Sequence, residues 1–134
     1  MRILILAALS LATASPALAQ PAGGKIVSIY RAAPGHLEAL LDWLAKQDEA
    51  AKAAGVGASQ LYVHQDGASW DLLLIAPQTT AEQDRAADAA AAKMGLTVGP
   101  RRSLELREHI AEHTDTYAAG PTTAAEWLSR VRKP

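Results

Sequence analysis

The sequence contains no cysteine, no phenylalanine and no asparagine. Without cysteine the chain has no means of forming a disulfide scaffold, a cysteine-based zinc site or a thiol nucleophile. The formal net charge is −1, from 13 basic and 14 acidic side chains, so there is no excess of positive charge for nucleic acid or an anionic membrane. Alanine supplies 30 of the 134 residues, whereas aromatic residues make up only 4%. A core must therefore come mainly from Leu, Ile and Val.

Residues 1–19 have the features of a secretory signal peptide. A single arginine precedes an apolar run at 3–12, and Ala17 and Ala19 occupy the small-residue positions of an A-x-A cleavage site. The run is too short to span a bilayer, which takes about 20 apolar residues. We therefore expect cleavage after Ala19, a periplasmic or secreted protein without membrane attachment after cleavage, and a flexible leader at 20–24.

The rest of the chain, residues 25–134, is predicted to form a single domain, because no linker divides it. Hydrophobic periodicity and turn residues predict its elements. They are a strand at 25–32, a helix at 36–54, strands at 59–65 and 69–75, a helix from Thr79, a helix at 101–112, a short strand at 113–118 and a terminal helix after Thr123.

Two local motifs set the expected ends of these elements. Asp66-Gly67 between two alternating runs predicts a tight two-residue hairpin turn, because both residues tolerate positive φ. Thr79 followed by Glu82 has the spacing of a capping box, which predicts the start of the second helix.

The order of elements contains the split βαβ pattern of a ferredoxin-like antiparallel sheet, with an extra C-terminal helix. Ala33-Pro34-Gly35 follows the first strand and opens a helix that contains Trp43, and a hairpin comes next. This arrangement resembles the antibiotic-biosynthesis-monooxygenase-like dimeric α/β barrels over roughly residues 25–119. The resemblance implies an α+β fold with helices on one face of the sheet, a homodimer, and a ligand held between sheet and helices.

The same family includes cofactor-free oxygenases, haem degraders and isomerases, so the resemblance implies no single reaction. One haem-degrading pattern uses an Asn-Trp-His triad, which a chain without asparagine lacks. The sequence assigns no cofactor.

Alternation along the predicted strands sorts the side chains into two faces. The tight turn would pair Val63 with Trp70 and Tyr62 with Asp71, which leaves an apolar face for the helices and a polar face opposite. If the polar side chains of the different strands fall on the same face of the sheet, they line one concave surface. The candidate catalytic residues are His64, His113 and Asp71, and the candidate ligand-binding residues are Tyr30, Tyr62, Asp115 and Tyr117.

A histidine beside a carboxylate and phenols is suited to general acid–base chemistry near neutral pH. One hypothesis is therefore a small-molecule enzyme, a cofactor-independent oxygenase or isomerase, with His64 or His113 as base and a small apolar or aromatic ligand. The other hypothesis is a non-enzymatic binding or interaction protein that uses the same cavity or the dimer surface, in which case the polar residues are solvated or interfacial.

A further motif, His109-x-x-Glu112-His113, matches the H-x-x-E-H motif of the inverzincin zinc proteases. On a continuous helix the two histidines would share a face, since i and i+4 are neighbours. Too little chain follows His113 for the large fold of such proteases, and a polar helix terminus explains the residues equally well. We assign no metal to them.

Overall fold

The computed structural model describes residues 24–67 and 69–132, so the predicted signal peptide lies outside the described residues. The elements are β1 (Gly24–Ala32), α1 (Leu37–Ala53), β2 (Gln60–Val63), β3 (Leu72–Pro77), α2 (Ala81–Lys93), α3 (Pro100–His109), β4 (Ile110–Ala119) and α4 (Ala124–Val131). The strands form one antiparallel sheet in the order β2-β3-β1-β4. This arrangement confirms the predicted α+β ferredoxin-like fold with an additional C-terminal helix.

The central strand β1 sets the two faces of the sheet. Ser28 and Tyr30 are buried, whereas Ile29 between them is 39% exposed. Because side chains alternate along a strand, the even-numbered positions of β1 face the helices and the odd-numbered positions face away. Residues paired directly across the ladder share a face, so this assignment extends to the other three strands.

The core is small and lies between the sheet and α1. Tyr30, Leu40 and Leu72 form its buried cluster, and the two leucines have no exposed surface. Partly buried side chains from both layers surround it: Ala32, Leu41, Leu44, Leu74, Leu106 and Ile110. The leucines of α1 recur at helical spacing, which turns one face of α1 onto the sheet.

Helix α2 begins one residue later than the sequence predicted. Thr80 is its N-cap and forms the capping box with Gln83, so the expected pairing of Thr79 with Glu82 is wrong. The hydroxyl of Thr79 instead donates a hydrogen bond to the carboxylate of Asp84. Both threonines have the chemistry of a cap, and the neighbouring side chains decide between them.

The predicted two-residue turn between β2 and β3 is also wrong. Gly67 has the expected positive φ of 110°, but β2 ends at Val63 and β3 begins at Leu72. Val63 pairs with Leu72, a displacement of two residues from the predicted pairing. An even displacement leaves every side chain on its face, so Leu61, Val63 and Leu72 do share the helix-facing side.

The displacement has a physical cause in Asp71. Its carboxylate Oδ2 accepts a hydrogen bond from the Ala32 N–H at 2.7 Å, and its own N–H donates to the Tyr30 carbonyl at 2.8 Å. These contacts tie Asp71 to β1, while its carbonyl accepts a hydrogen bond from the His64 N–H at 2.9 Å and so extends the pairing of Val63 with Leu72. A local turn preference is thereby outweighed by hydrogen bonds to a third strand.

The strand that follows α3 begins three residues earlier than the sequence predicted. Helix α3 ends at His109, and β4 runs from Ile110 to Ala119, paired with β1 along its length. The helix expected through Glu112 is therefore three residues too long. The backbone of this segment bonds to β1 instead of continuing the i→i−4 bonds of α3, so its partners come from a distant strand that the local sequence does not reveal.

The last helix, α4, begins as predicted with a capping box between Thr123 and Glu126. The backbone hydrogen bond at Thr123 lowers the pKa of Glu126 below its ordinary value. Trp127, Leu128 and Val131 on this helix remain exposed. In residues 24–67 and 69–132, no helix has the length and apolar character needed to cross a membrane.

Candidate functional site

A cavity of about 480 Å³ lies between the sheet and the helices. Tyr30, Leu61 and Leu74 form its floor, and α1 and α2 form its walls. Its polar groups, besides Tyr30 and Trp43, lie on the helices and on the segments that precede β2 and α2: Gln47, Asp48, Ser59, Thr79, Asp84 and Arg102. An apolar cavity of this size with a few placed polar groups is typical of a small-molecule site.

Tyr30 connects this cavity to the polar residues of β4. It is only 6% exposed, and its ring stacks on that of His113 with centroids 6.0 Å apart and planes 11° from parallel. Burial raises the pKa of the Tyr30 phenol above its ordinary value; the hydrogen bond with Ser28 opposes this, and the charge of Asp115 adds to it. The phenol therefore stays protonated at neutral pH and is a hydrogen-bond donor.

His113 and Asp115 lie two residues apart on β4, on the helix-facing side of the sheet, where their side chains remain 34% and 53% exposed. They pair with Tyr30 and Ser28 of β1 respectively, and the Nε2 of His113 is 3.6 Å from the Oδ2 of Asp115. The carboxylate is placed to stabilise a protonated imidazole. The imidazole and the carboxylate thus lie within ion-pair distance, beside the buried ring of Tyr30.

The predicted concave surface does not form as one set. Tyr117 shares the face of Tyr30 and His113, but it pairs with Ile26 further along β1 and is 72% exposed. Tyr62 pairs with Leu73, which places it on the opposite face of the sheet. The sequence predicted the polar set on the face opposite the helices; Tyr62 lies there, whereas the candidates on β1 and β4 lie on the helix-facing side.

His64 and Asp71 lie in the connection between β2 and β3. The His64 ring packs against Trp70 with centroids 4.7 Å apart. The carboxylate of Asp71 binds the Ala32 N–H, as described above, which is a structural use of that group. Within the described part of the chain, neither residue has a side-chain hydrogen bond or ion pair with His113.

The His109-x-x-Glu112-His113 motif does not lie on one helix. His109 ends α3, whereas Glu112 and His113 belong to β4, so the two histidines do not share a helix face. Glu112 instead lies 3.6 Å from the guanidinium of Arg31. Among residues 24–67 and 69–132, no three His, Asp or Glu side chains are grouped so as to hold a metal ion.

Two residues at the cavity were not among the sequence candidates. Arg102 forms an ion pair with Asp88 at 2.8 Å and lines the cavity. Trp43 of α1 lines it as well. In the sequence, the one feature that could have indicated a position at the cavity for Trp43 is that it lies next to the leucines on the apolar face of a predicted helix.

No protein-family model matches the sequence, and no curated protein is significantly similar to it. Solved structures are similar in fold. A form of SnoaB, a cofactor-independent oxygenase from Streptomyces nogalater, has a TM-score of 0.52 at 16% identity over 75% of this chain and 95% of that one. An antibiotic biosynthesis monooxygenase has a TM-score of 0.49 at 16% identity, over 74% and 99% of the two chains. Rv0793 from Mycobacterium tuberculosis has a TM-score of 0.49 at 16% identity, over 75% and 97%.

At this level of identity the likeness establishes the fold and not the reaction. The order of strands and helices in the described residues agrees with it. The chain thus has the ferredoxin-like fold that its sequence implied, and SnoaB shares that fold.

Proposed function

We propose that the chain binds a small apolar or aromatic molecule in the cavity between sheet and helices and acts on it as a cofactor-independent oxygenase or isomerase. The observation that carries this proposal is the double role of Tyr30. Its buried ring forms part of the cavity floor and also stacks on His113, which is 3.6 Å from Asp115. His113 itself does not line the cavity but lies behind the Tyr30 ring, so the proposal requires the substrate to extend past Tyr30 to reach the imidazole.

In this mechanism His113 removes an acidic proton from the substrate. Asp115 stabilises the imidazolium that forms, and the Tyr30 phenol donates a hydrogen bond to the oxygen of the substrate anion. An isomerase returns the proton to a different carbon of that anion. In an oxygenase the electron-rich anion itself reduces dioxygen. SnoaB, whose fold this chain shares, is a cofactor-independent oxygenase, which agrees with the proposal.

Binding and turnover are tested separately with a panel of naphthols and hydroquinones, whose anions react with oxygen. Binding is followed by the fluorescence of Trp43 in the cavity, and turnover by oxygen consumption and product analysis. We expect His113→Ala to abolish turnover and to leave binding within about threefold, because a general base contributes about 10²–10⁴-fold to rate.

His36→Ala is the matched control, because His36 is exposed at the start of α1. Equal turnover in the two histidine variants would contradict the assignment of His113. Binding without turnover of any compound would instead favour the non-enzymatic binding protein.

We further propose that the protein is a homodimer that pairs through the uncovered sheet face. That face carries apolar side chains from three strands: Val27, Ile29, Tyr62, Leu73 and Ile75. Monomeric proteins rarely expose a large contiguous apolar patch. The exposed side chains of α4 supply a second surface for a partner.

The dimer is tested by light scattering. We expect Ile29→Glu to give a monomer, since an unpaired charge on the sheet face opposes pairing. Leu104→Glu, at a 62% exposed position of α3, is the control and should leave the mass unchanged. A monomeric natural chain at micromolar concentration would refute the proposal.

The proposed setting is the periplasm or the extracellular space. It rests on the signal-peptide features of residues 1–19.

A further inference from the structure

A second, smaller cavity of about 150 Å³ lies on the other side of Trp43. Trp43 and Gln47 of α1 line both cavities. The rest of the smaller wall comes from α1, α3 and the segment between α2 and α3: Asp42, Lys46, Gly95, Leu96, Thr97, Glu105 and His109. We call this space the polar pocket.

Three polar atoms of the pocket residues are buried without a hydrogen-bond partner. They are the indole Nε1 of Trp43, the carboxylate Oε2 of Glu105 and the imidazole Nδ1 of His109. In the described part of the chain, these are all the buried side-chain polar atoms that lack a partner. Leaving such a group unsatisfied destabilises the fold, and all three atoms belong to residues that line one cavity, which points to a ligand.

The positions of these groups follow from the helices. Glu105 and His109 are four residues apart on α3, so they share one face of that helix. Trp43 reaches the same space from α1, where its ring separates the two cavities. The His109 ring is also held by the neighbouring ring of His36, with centroids 5.9 Å apart.

The chemistry of the three atoms restricts what binds. An indole N–H only donates a hydrogen bond, a carboxylate only accepts one, and a neutral imidazole nitrogen does either. The ligand must therefore carry an acceptor for Trp43 and, beside it, donors for Glu105 and His109.

The charges around the pocket disfavour a charged ligand. The negative charges of Glu105 and Asp42 repel an anion. A cation is disfavoured because the Trp43 N–H is a donor and has no lone pair with which to bind it. Lys46 opposes a cation as well: its hydrogen bond with Asp42, followed by the charges of Asp42 and Glu105, raises its pKa above the ordinary value.

We propose that the polar pocket binds a small uncharged molecule with an adjacent hydrogen-bond acceptor and donor, of which a primary carboxamide is the simplest. Its carbonyl oxygen accepts from the Trp43 N–H, and its amino group donates to the Glu105 carboxylate and to His109 Nδ1. A water occupies about 30 Å³ of liquid volume, so the pocket has room for roughly four or five non-hydrogen atoms. The polar pocket adjoins the larger cavity through Trp43 and Gln47 but contains none of the residues of the proposed reaction, so it does not depend on that reaction.

The test compares acetamide, acetate and acetamidinium, which share a planar shape and about four non-hydrogen atoms but differ in charge. Binding is followed in the natural full chain by the indole N–H resonances in nitrogen-15 correlation spectra. Trp70 and Trp127 lie outside the pocket and serve as internal controls. We expect acetamide alone to shift the Trp43 resonance in a saturable way, at millimolar concentration.

Two variants on α3 test the carboxylate. Glu105→Gln keeps the shape of the side chain and removes its charge, and Glu108→Gln makes the same change at an exposed position of that helix. We expect Glu105→Gln to weaken acetamide binding about tenfold, as the loss of a charged hydrogen-bond partner implies, and Glu108→Gln to leave it unchanged.

Several results would overturn the proposal. An unmoved Trp43 resonance means that the pocket holds solvent only. Tighter binding of acetate or of acetamidinium means an anion or a cation site. Equal affinity in the two glutamine variants means that Glu105 takes no part. The three-ligand comparison requires no substitution, so it decides the matter even if Glu105→Gln does not fold.

Discussion

Replacing Asp71 with alanine removes the side chain that links the start of β3 to the end of β1. The Oδ2 of Asp71 accepts a hydrogen bond from the Ala32 N–H at 2.7 Å in a partly buried setting. The backbone of Asp71 makes two further contacts, with the Tyr30 carbonyl and with the His64 N–H, and both survive the substitution. The variant therefore isolates the contribution of the carboxylate.

The expected loss of stability follows from that single bond. A hydrogen bond to a charged group contributes about 1.5–3 kcal/mol net. Since the bond is only partly buried, water can replace the lost oxygen in part, and we expect Asp71→Ala to lower the free energy of unfolding by about 1–2 kcal/mol. Asp71→Asn keeps an uncharged acceptor, and its cost should be about half as large, because charge-assisted bonds are roughly twice as strong as neutral ones.

Urea unfolding measures both variants, with a shift of the midpoint at unchanged slope indicating a true change in stability. Asp66→Ala is the matched control, because Asp66 is exposed in the same connection. That variant should stay within about 0.5 kcal/mol of the natural chain. Equal midpoints for Asp71→Ala and Asp66→Ala would refute the structural role and would leave the catalytic role predicted from the sequence.

Three more predictions concern the core, the buried phenol and the N-terminus. Leu72→Ala should cost about 2–5 kcal/mol in urea unfolding, because the side chain has no exposed surface, whereas Leu104→Ala on the surface of α3 should change little. The raised pKa of Tyr30 predicts stability that is constant below the unfolded phenol's pKa, about 10, and that falls as pH rises through the folded value. Tyr30→Phe should show a smaller fall between pH about 8 and about 11 in the same assay, and an equal fall would contradict the assignment. Sequencing of the exported protein should begin at Gln20, and an intact Met1 would contradict the predicted cleavage.

The candidate site was predictable only within each strand. Alternation with a period of two placed His113 with Asp115, and Ser28 with Tyr30, without any knowledge of the partner strands. Whether two such pairs face each other depends on strand pairing, and β4 pairs with β1 so that His113 lies opposite Tyr30. Tyr62 lies opposite the helices, as its own strand pattern predicted, but strand pairing puts Tyr30 and His113 on the other face, so the two sets do not meet.

Arg102 and the unpartnered atoms of the polar pocket were beyond sequence reasoning for a related cause. An ion pair between Arg102 and Asp88, or a cavity bounded by Trp43 and Glu105, joins residues of different elements. Such contacts depend on how the helices pack. No local pattern contains that information.

The amino-acid sequence by itself determined the kinds of elements, their order and the ferredoxin-like fold class, because hydrophobic periodicity, helix caps and glycines act over only a few residues. It also determined which side chains share a face within one strand. Only the tertiary structure decided where β2, β3 and β4 begin, which faces meet, and which polar atoms remain without partners. The difference arises because hydrogen bonds between distant segments, such as that from Ala32 to Asp71, outweigh local preferences of comparable size.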